Sequence, residues 1–201
     1  MTESTESVER ELKWTLRCDD PVAALSKVLG EPDGLSQQLN RYFLPAHPGR
    51  TMVRIREEFG ALTLTVKGQG TRTDQGYYVR SECNSPIPPE LLFQLQGKGT
   101  VAGLDAPACL LALTEPFRFV GLLFNTRRTY DWMGLRLELD RTEYPDGTHV
   151  WEMEVETTLP AEVSAQVAGL LKQAGVRWQP SEKGKFSSLM EKLGRVDSDR
   201  Q

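Results

Sequence analysis

Charged and apolar residues alternate in several short segments of the chain, the first being VERELKW at residues 8–14. In a helix, Glu9 and Lys13 would form an ordinary surface pair four residues apart. In a strand, Glu9, Glu11 and Lys13 would share one face, because successive side chains point to opposite faces. The same period of two returns along the chain, which favours the strand.

Later segments with this alternation are MVRIREE, ALTLTVKG, GYYVRSE, LRLELD and HVWEMEVET. Arg54 and Arg56, for example, share one face of MVRIREE. The turn YPDG joins the last two segments as a hairpin. FNTRRTYDW is a further strand, with Arg127 and Arg128 on opposite faces, and a short strand is predicted near residues 37–43.

Helical patterns separate or follow these strands. DDPVAALSKVLG has Pro21 in its first turn and Gly30 at its end. PPELLFQL and APACLLAL predict one or two further helices, LPAEVSAQVAGLLKQAG a long one, and KFSSLMEKLGR a short last one. The two histidines, His47 and His149, are expected in turns, without ligand spacing.

The charged faces of the strands can be placed in two ways. An antiparallel sheet commonly exposes one polar face to water. Glu and Lys are depleted in strands, however, and here long charged side chains recur at every second position. The helices can instead cover the apolar faces from outside. We therefore expect an α+β fold in which the charged faces point into a closed β-barrel.

A charged barrel interior is costly unless its charges are paired. The carboxylates are concentrated on the first and last strands, and the basic residues on the middle ones. Carboxylates suit Mg²⁺ or Mn²⁺, and clustered Arg and Lys suit phosphate oxygens, so the lining indicates a metal-bound polyphosphate. The predicted lining residues are Lys13, Arg54, Arg56, Lys67, Arg80, Arg127, Arg136 and Lys185 with Glu9, Glu11, Glu82, Glu138, Asp140, Glu152, Glu154 and Glu156.

Length and composition fit a single cytoplasmic domain. The chain has 201 residues, a net charge of −4 and three cysteines without metal or disulfide spacing. We expect residues 1–7 to be a disordered lead-in, 8–195 one domain and 196–201 a tail. Nothing indicates nucleic-acid binding or a membrane span, and a monomer or a homodimer is expected.

The ordered set of motifs resembles the CYTH superfamily of triphosphate tunnel metalloenzymes, whose hallmark is E-x-E-x-K, here Glu9 to Lys13. The further matches are VRIR, LTVKG, VRSE, NTRRTY, LELD, WEMEVE and GKF. The C-terminal half is most similar to the plant-type tripolyphosphatases. One departure is Leu44, which stands where the family often has an acid, and the proline-bearing span 44–50 is short.

The resemblance implies an eight-stranded antiparallel tunnel that hydrolyses inorganic triphosphate with Mg²⁺ or Mn²⁺. By position, the phosphate-binding residues are Arg54, Arg56, Lys67 and Arg127, assisted by Lys13 and Lys185, with Arg80 added from the alternation. The metal ligands are Glu9, Glu11, Glu152 and Glu154, with Glu82 and Asp140 as ligands of metal-bound water or orienters of basic residues. Glu9, Glu11 and Lys13 are the catalytic candidates, and Glu9 or Glu11 would position the attacking water.

The same tunnel admits other functions. A class IV adenylate cyclase needs an adenine pocket, for which no motif is found. A thiamine triphosphatase needs an aromatic surface, for which Trp14, Tyr77, Tyr78 and Trp151 are candidates, although Trp14 and Trp151 are expected to point outward. A non-catalytic polyphosphate sensor is a third alternative, and the two complete E-x-E pairs argue against it.

Overall fold

The computed structural model describes residues 4–45, 51–100, 106–113 and 116–194 of the chain. The helices of these segments are α1 (Val22–Leu29), α2 (Pro89–Lys98), α3 (Ala108–Leu111), α4 (Pro160–Gln173) and α5 (Lys185–Lys192). The strands are β1 (Thr5–Leu16), β2 (Gly34–Pro45), β3 (Met52–Glu58), β4 (Ala61–Arg72), β5 (Tyr77–Pro86), β6 (Phe117–Trp132), β7 (Leu135–Glu143), β8 (His149–Glu156) and β9 (Trp178–Pro180).

Strands β1 to β8 form a closed antiparallel barrel. Neighbouring strands follow the order β5-β4-β3-β2-β6-β7-β8-β1, and β1 also pairs with β5, which closes the ring. The short β9 pairs with β1 outside the ring, where Trp14 lies opposite Pro180. The predicted α+β fold with an eight-stranded antiparallel barrel is confirmed. Closure leaves the eight strands no free edge, and side chains alternate between an inner and an outer face.

Apolar side chains on the outer face hold the helices against the barrel. One cluster packs α1 and α4 on β1, β6, β7 and β8, and its largest members are Trp14 and Trp151. A second cluster packs α2 and α3 on β3 and β4 around Ile55 and Leu64. Each such side chain contributes about 1.5–3 kcal/mol on burial. The prediction that Trp14 and Trp151 point away from the tunnel is confirmed.

Helix α5 lies at one end of the barrel. Its Leu189 and Met190 are buried with Tyr42, Leu123 and other residues in a third apolar cluster. Tyr42 and Leu123 belong to the inner-face positions of β2 and β6, because Tyr42 lies opposite Arg54 in register and Leu123 precedes Arg127 by four residues. The first turn of α5 therefore faces the barrel interior, which the sequence pattern alone did not indicate.

Some predicted boundaries and turns differ from the structure. Strand β1 begins at Thr5, which pairs with Asn84, so the end of the predicted lead-in belongs to the sheet. The strand predicted at residues 37–43 extends over 34–45. The expectation that His149 lies in a turn is wrong, because the YPDG hairpin is so tight that His149 already pairs with Glu143. His47 lies outside the described residues, as does most of the span 44–50.

Candidate functional site

A cavity of about 780 Å³ lies inside the barrel, bounded by side chains from all eight strands and by the first turn of α5. Glu138 and Glu156, predicted from alternation alone, lie on its wall. The predicted site residues on the wall are Glu9, Glu11, Lys13, Arg54, Arg56, Lys67, Arg80, Glu82, Arg127, Glu154 and Lys185.

Three predicted lining residues do not reach the wall of the cavity. Asp140 and Glu152 are buried behind it, with 0% and 4% of their surface exposed. Arg136 points to solvent at the end of β7, where its side chain is 62% exposed and 3.9 Å from Asp131. The prediction that Arg136 lines the tunnel is wrong, because Arg136 is the second residue of β7 and lies outside the part of the strand that borders the cavity.

The strand register explains why opposite charges meet on the wall. Lys13 lies directly opposite Glu154, and Glu9 directly opposite Arg80, in neighbouring strands. Such cross-strand partners have Cβ atoms about 4.5–5.5 Å apart. Lys13 is held further by the turn before β5, where its N–H donates to the carbonyl of Gly76 at 3.0 Å. Gly76 has a φ of +77°, and a Cβ there would lie 2.5 Å from the Lys13 carbonyl.

Two buried carboxylates organise the basic residues nearest to α5. Asp140 accepts hydrogen bonds from Arg127 Nε at 2.7 Å and Nη2 at 2.6 Å, and it lies 2.8 Å from Lys185 Nζ. Glu154 lies 2.8 Å from Lys13 Nζ and 2.9 Å from Arg127 Nη2, and it also contacts Lys185. The cations Lys13, Arg127 and Lys185, here called the paired cations, are thus each neutralised by carboxylates.

The pKa values follow from this pairing. Burial acts to raise the pKa of Asp140, but Lys185 and Arg127 outweigh it and lower the value to about 2. Burial likewise opposes the charge of Lys185, yet Asp140 and Glu154 raise its pKa above the ordinary value. These charges are fixed at neutral pH, so the paired cations present constant positive charge to the cavity.

The arginines of β3 have no such partners. Among the described residues, no carboxylate lies within ion-pair distance of Arg54 or Arg56, here called the unpaired arginines. Arg54 Nη2 donates to Thr65 Oγ1 at 3.1 Å, and its buried Nε donates to no acceptor. Arg56 Nε donates to Asn40 Oδ1 at 3.1 Å. Burial, then Arg54 and Arg127, lower the pKa of Arg56 to about 10.

A mixed cluster lies beside the unpaired arginines, on β4, β5 and β1. Lys67 Nζ is 2.8 Å from Glu9 and 2.6 Å from Glu82, and Arg80 contacts the other oxygen of Glu9. Burial acts to raise the pKa of Glu9, but Lys67 and Arg80 lower it to about 2. The pKa of Lys67 is nevertheless lowered, because burial and the nearby cations Arg54 and Arg80 outweigh its two carboxylates.

The opposite wall carries carboxylates that face one another. Glu11 lies directly opposite Glu156, and Glu138 directly opposite Glu154, in register. Like charges in these positions repel, and burial with Glu9, Glu11 and Glu82 raises the pKa of Glu156. Glu11 Oε1 is buried and accepts no hydrogen bond, although Lys13 Nζ is 3.2 Å away. Of these four carboxylates, Glu154, Glu138 and Glu11 contact lysines or arginines, and Glu156 forms no ion pair with any of the described residues.

This donor set suits a hard divalent cation, which carboxylate oxygens bind. In the conformation described, no three Asp, Glu, His or Cys side chains of residues 4–45, 51–100, 106–113 and 116–194 converge as metal ligands. Glu9 and Glu154 are instead engaged by lysines and arginines. Glu11, whose Oε1 accepts no hydrogen bond although Lys13 and Arg80 are within 3.8 Å, and Glu156, which has no ion pair among the described residues, are the carboxylates best placed to receive a cation. Glu156 is one that motif spacing did not select.

Sequence reasoning missed Tyr42 and Phe186 as residues of the site, whereas Tyr78 was among the aromatic candidates. Tyr42, Tyr78 and Phe186 lie on the cavity wall, and the ring of Tyr78 is 5.6 Å from Lys13 Nζ. Tyr42 and Phe186 pack with ring centroids 5.3 Å apart. The inward position of Tyr42 follows from its period of two with Asn40. The place of Phe186 depends on how α5 docks, which has no local sequence signal.

Comparison with known proteins agrees with this architecture. The sequence profile described as the CYTH domain matches residues 7–182 of the chain. The chain belongs to the CYTH domain family. No protein of curated function matches the sequence significantly. The family expected from the motif set is thus confirmed, and triphosphate tunnel enzymes of this family generally depend on divalent metals.

Solved structures share the fold of this CYTH protein. HpAC1 from Hippeastrum, proposed as an adenylyl cyclase and described as having a dominant triphosphatase activity, has a TM-score of 0.79 at 24% identity, covering 94% of this chain and 97% of that one. A proposed adenylate cyclase from Bacillus halodurans has a TM-score of 0.70 at 20% identity, covering 91% and 97%. At these identities the likeness shows the fold alone.

No helix in the described part of the chain is both long and apolar enough to cross a bilayer.

Proposed function

We propose that this CYTH protein hydrolyses inorganic triphosphate in the barrel cavity and releases a terminal phosphate. The observation that carries the proposal is the pair of unpaired arginines, Arg54 and Arg56, half-buried in the wall of the same cavity as the carboxylates Glu11 and Glu156. Buried cations without counter-ions favour an anion, and facing carboxylates favour a cation. A metal-bound polyphosphate satisfies both groups, and the triphosphatase activity described for HpAC1 supports this substrate class.

Each basic residue would bind the substrate in its own way. Arg54 and Arg56 offer planar guanidinium groups that can bind phosphate oxygens through two hydrogen bonds. Lys67 and Arg80 would bind further oxygens while retaining Glu9 and Glu82 as partners. The paired cations Lys13, Arg127 and Lys185 would supply fixed positive charge near α5. Held at several points, the phosphate chain would lie in one orientation for displacement.

The carboxylates would divide into two roles. We assign Glu9, Glu11, Glu154 and Glu156 to binding of Mg²⁺ or Mn²⁺, with Glu82 beside them. Asp140 and Glu152 are more consistent with orienting Arg127 and Lys185, because both lie behind the cavity wall. When bound, the metal would neutralise charge on the phosphate oxygens.

Glu11 is the stronger of the two sequence-derived candidates for holding the attacking water. Its Oε1 accepts no hydrogen bond, whereas both oxygens of Glu9 are engaged by Lys67 and Arg80. A carboxylate whose pKa is about 2 is also a weak proton acceptor. Lys13, beside Glu11, would stabilise the charge that develops on the phosphate oxygens.

Phosphate release from tripolyphosphate with Mg²⁺ or Mn²⁺ tests the proposal, with ATP and thiamine triphosphate assayed in parallel. We expect rapid turnover of tripolyphosphate that chelator abolishes, and a loss of about 100-fold or more in Glu11→Ala. Asp131→Ala, which removes an exposed carboxylate remote from the cavity, serves as the control. Cyclic AMP from ATP, or preference for thiamine triphosphate, would assign the cavity to another reaction. Tight binding without turnover would leave a polyphosphate sensor.

The setting of this activity is part of the proposal. We infer a cytoplasmic protein that acts on a small triphosphate as a monomer or homodimer, without nucleic-acid or membrane partners. The net charge of −4 supports the absence of a nucleic-acid partner.

A further inference from the structure

Ser181 lies between β9 and α5, and its surface is fully buried. Its backbone N–H donates to the carbonyl of Lys13 at 2.9 Å. Its own carbonyl accepts hydrogen bonds from the Tyr78 hydroxyl at 3.0 Å and from Arg72 Nη1 at 3.3 Å. Ser181 therefore joins β1, β4 and β5 to the segment that leads into Lys185, although it does not line the cavity itself.

The hydroxyl of Ser181 has a defined direction. Its Oγ is 3.1 Å from Glu152 Oε1 and 2.7 Å from Thr15 Oγ1. A carboxylate can only accept a hydrogen bond, and a serine hydroxyl has one hydrogen to donate. Ser181 must therefore donate to Glu152, and Thr15 must donate to Ser181. The result is an ordered series of hydrogen bonds from Thr15 through Ser181 to Glu152.

Glu152 connects this series of hydrogen bonds to Lys185, which lies on the cavity wall. While its Oε1 accepts from Ser181, its Oε2 lies 3.3 Å from Lys185 Nζ and accepts no hydrogen bond of normal geometry. The orientation of the carboxylate, and so the position of the negative charge beside Lys185, depends on the Ser181 hydroxyl. Lys185 is on the cavity wall, whereas Thr15, Ser181 and Glu152 are behind it.

Lys185 Nζ contacts three carboxylates, Asp140, Glu154 and, at 3.3 Å, Glu152. We propose that Ser181 is a positioning residue, which orients Glu152 as the third of these partners and thereby fixes the place of the Lys185 ammonium at the wall of the triphosphate cavity. Its consequence for catalysis rests on the proposed function, but the arrangement of Lys185 does not. Hydrogen bonds to charged groups contribute more than neutral ones, and losing a buried donor leaves the carboxylate oxygen without a partner.

Acylation of lysine side chains, followed by mass spectrometry, tests the position of Lys185 without any substrate. In Ser181→Ala we expect Lys185 to react about tenfold faster than in the wild type. Lys67, on another part of the wall with 6% of its side chain exposed against 12% for Lys185, is the internal reference and should be unchanged. Ser85→Ala, which also removes a fully buried hydroxyl but lies outside the cavity wall, should alter neither lysine.

An unchanged Lys185 rate in Ser181→Ala would overturn the proposal. Equal acceleration of Lys185 and Lys67 would do the same, because it would indicate general loosening of the barrel. The labelling tests whether Ser181 positions Lys185 even if the protein proves unable to hydrolyse tripolyphosphate.

Turnover measurements with tripolyphosphate test the role of Ser181 a second time, by substitutions of Thr15, which donates a hydrogen bond to it. Thr15→Ser keeps the donating hydroxyl and should retain the wild-type KM, while Thr15→Val and Ser181→Ala should both raise KM about tenfold with kcat within about twofold. A rise in KM with Thr15→Ser equal to that with Thr15→Val would contradict the hydrogen-bond order.

Discussion

The cavity wall contains two groups of cations that differ in their partners. The paired cations Lys13, Arg127 and Lys185 contact buried carboxylates, whereas the unpaired arginines Arg54 and Arg56 contact only neutral oxygens among the described residues. Burial opposes the charge in both groups. Carboxylates outweigh it for Lys185, whose pKa rises, but not for Arg56, whose pKa falls to about 10.

This difference separates residues that stabilise the folded protein from residues that await a ligand. A buried cation with its carboxylate is part of a network, and removing one member leaves an uncompensated charge. A cation that is removed from water without a carboxylate partner lowers the stability of the free protein, and a bound anion restores that stability. The unpaired arginines are therefore the part of the wall most specific to an anionic substrate.

The largest expected effect is on stability, from the paired group. Asp140→Ala removes the carboxylate shared by Arg127 and Lys185, so the free energy of unfolding should fall by about 3–5 kcal/mol. Urea unfolding measures this change. Asp131→Ala removes an exposed carboxylate 3.9 Å from Arg136 and should alter stability by no more than about 0.5 kcal/mol. Equal effects of the two substitutions would mean that Asp140 does not hold the cations.

The next prediction concerns the pH dependence of tripolyphosphate binding, which should follow the charge of Arg56, one of the unpaired arginines. Its pKa is about 10 in the free protein, and a bound phosphate would raise it. The affinity for tripolyphosphate should then be nearly constant up to about pH 9 and fall as the pH rises through about 10. At pH 11 we expect binding about tenfold weaker than at pH 9.

Calorimetry without added metal measures this dependence on pH. In Arg56→Met the decline between pH 9 and pH 11 should be smaller. A decline of the same size would assign the titration to another group.

The smallest expected effect is on the stability of the folded protein, from a substitution in the unpaired group. Arg56→Met replaces a half-buried cation that has no carboxylate partner among the described residues by an apolar chain of similar length, so the free energy of unfolding should stay within about 1 kcal/mol or increase. Lys185→Met, the matched change in the paired group, should lower it by about 3 kcal/mol. Urea unfolding of both variants would contradict the comparison if Arg56→Met proved the more damaging.

The barrel was predictable because its strands alternate so regularly. A period of two places Glu9, Glu11 and Lys13 on one face whatever the tertiary structure, and the apolar residues between them require a cover outside. The strand register then follows from pairing, so that alternation alone correctly placed Glu138 and Glu156 on the cavity wall. Arg136 fits the same pattern and still points to solvent, because alternation does not show where along the barrel a strand leaves the cavity.

The depth of the carboxylates behind the wall was not predictable from periodicity. Asp140 and Glu152 share the inner face with Glu138 and Glu154, yet neither reaches the cavity. Their burial depends on the tilt of β7 and β8 and on the entry of α5, which places Lys185 over them. Ser181 has no motif at all, because its role comes from five contacts with residues distant in sequence.

Titration calorimetry of tripolyphosphate against the wild type and Arg56→Met tests the central claim most directly. The account predicts clear binding to the wild type, weakened about 100-fold in Arg56→Met, since truncating a buried charge partner costs several kcal/mol of binding. Arg136→Met, which removes an exposed arginine outside the cavity, should bind as the wild type does. Equal affinity of Arg56→Met and the wild type would contradict the assignment of the unpaired arginines as the phosphate-binding group.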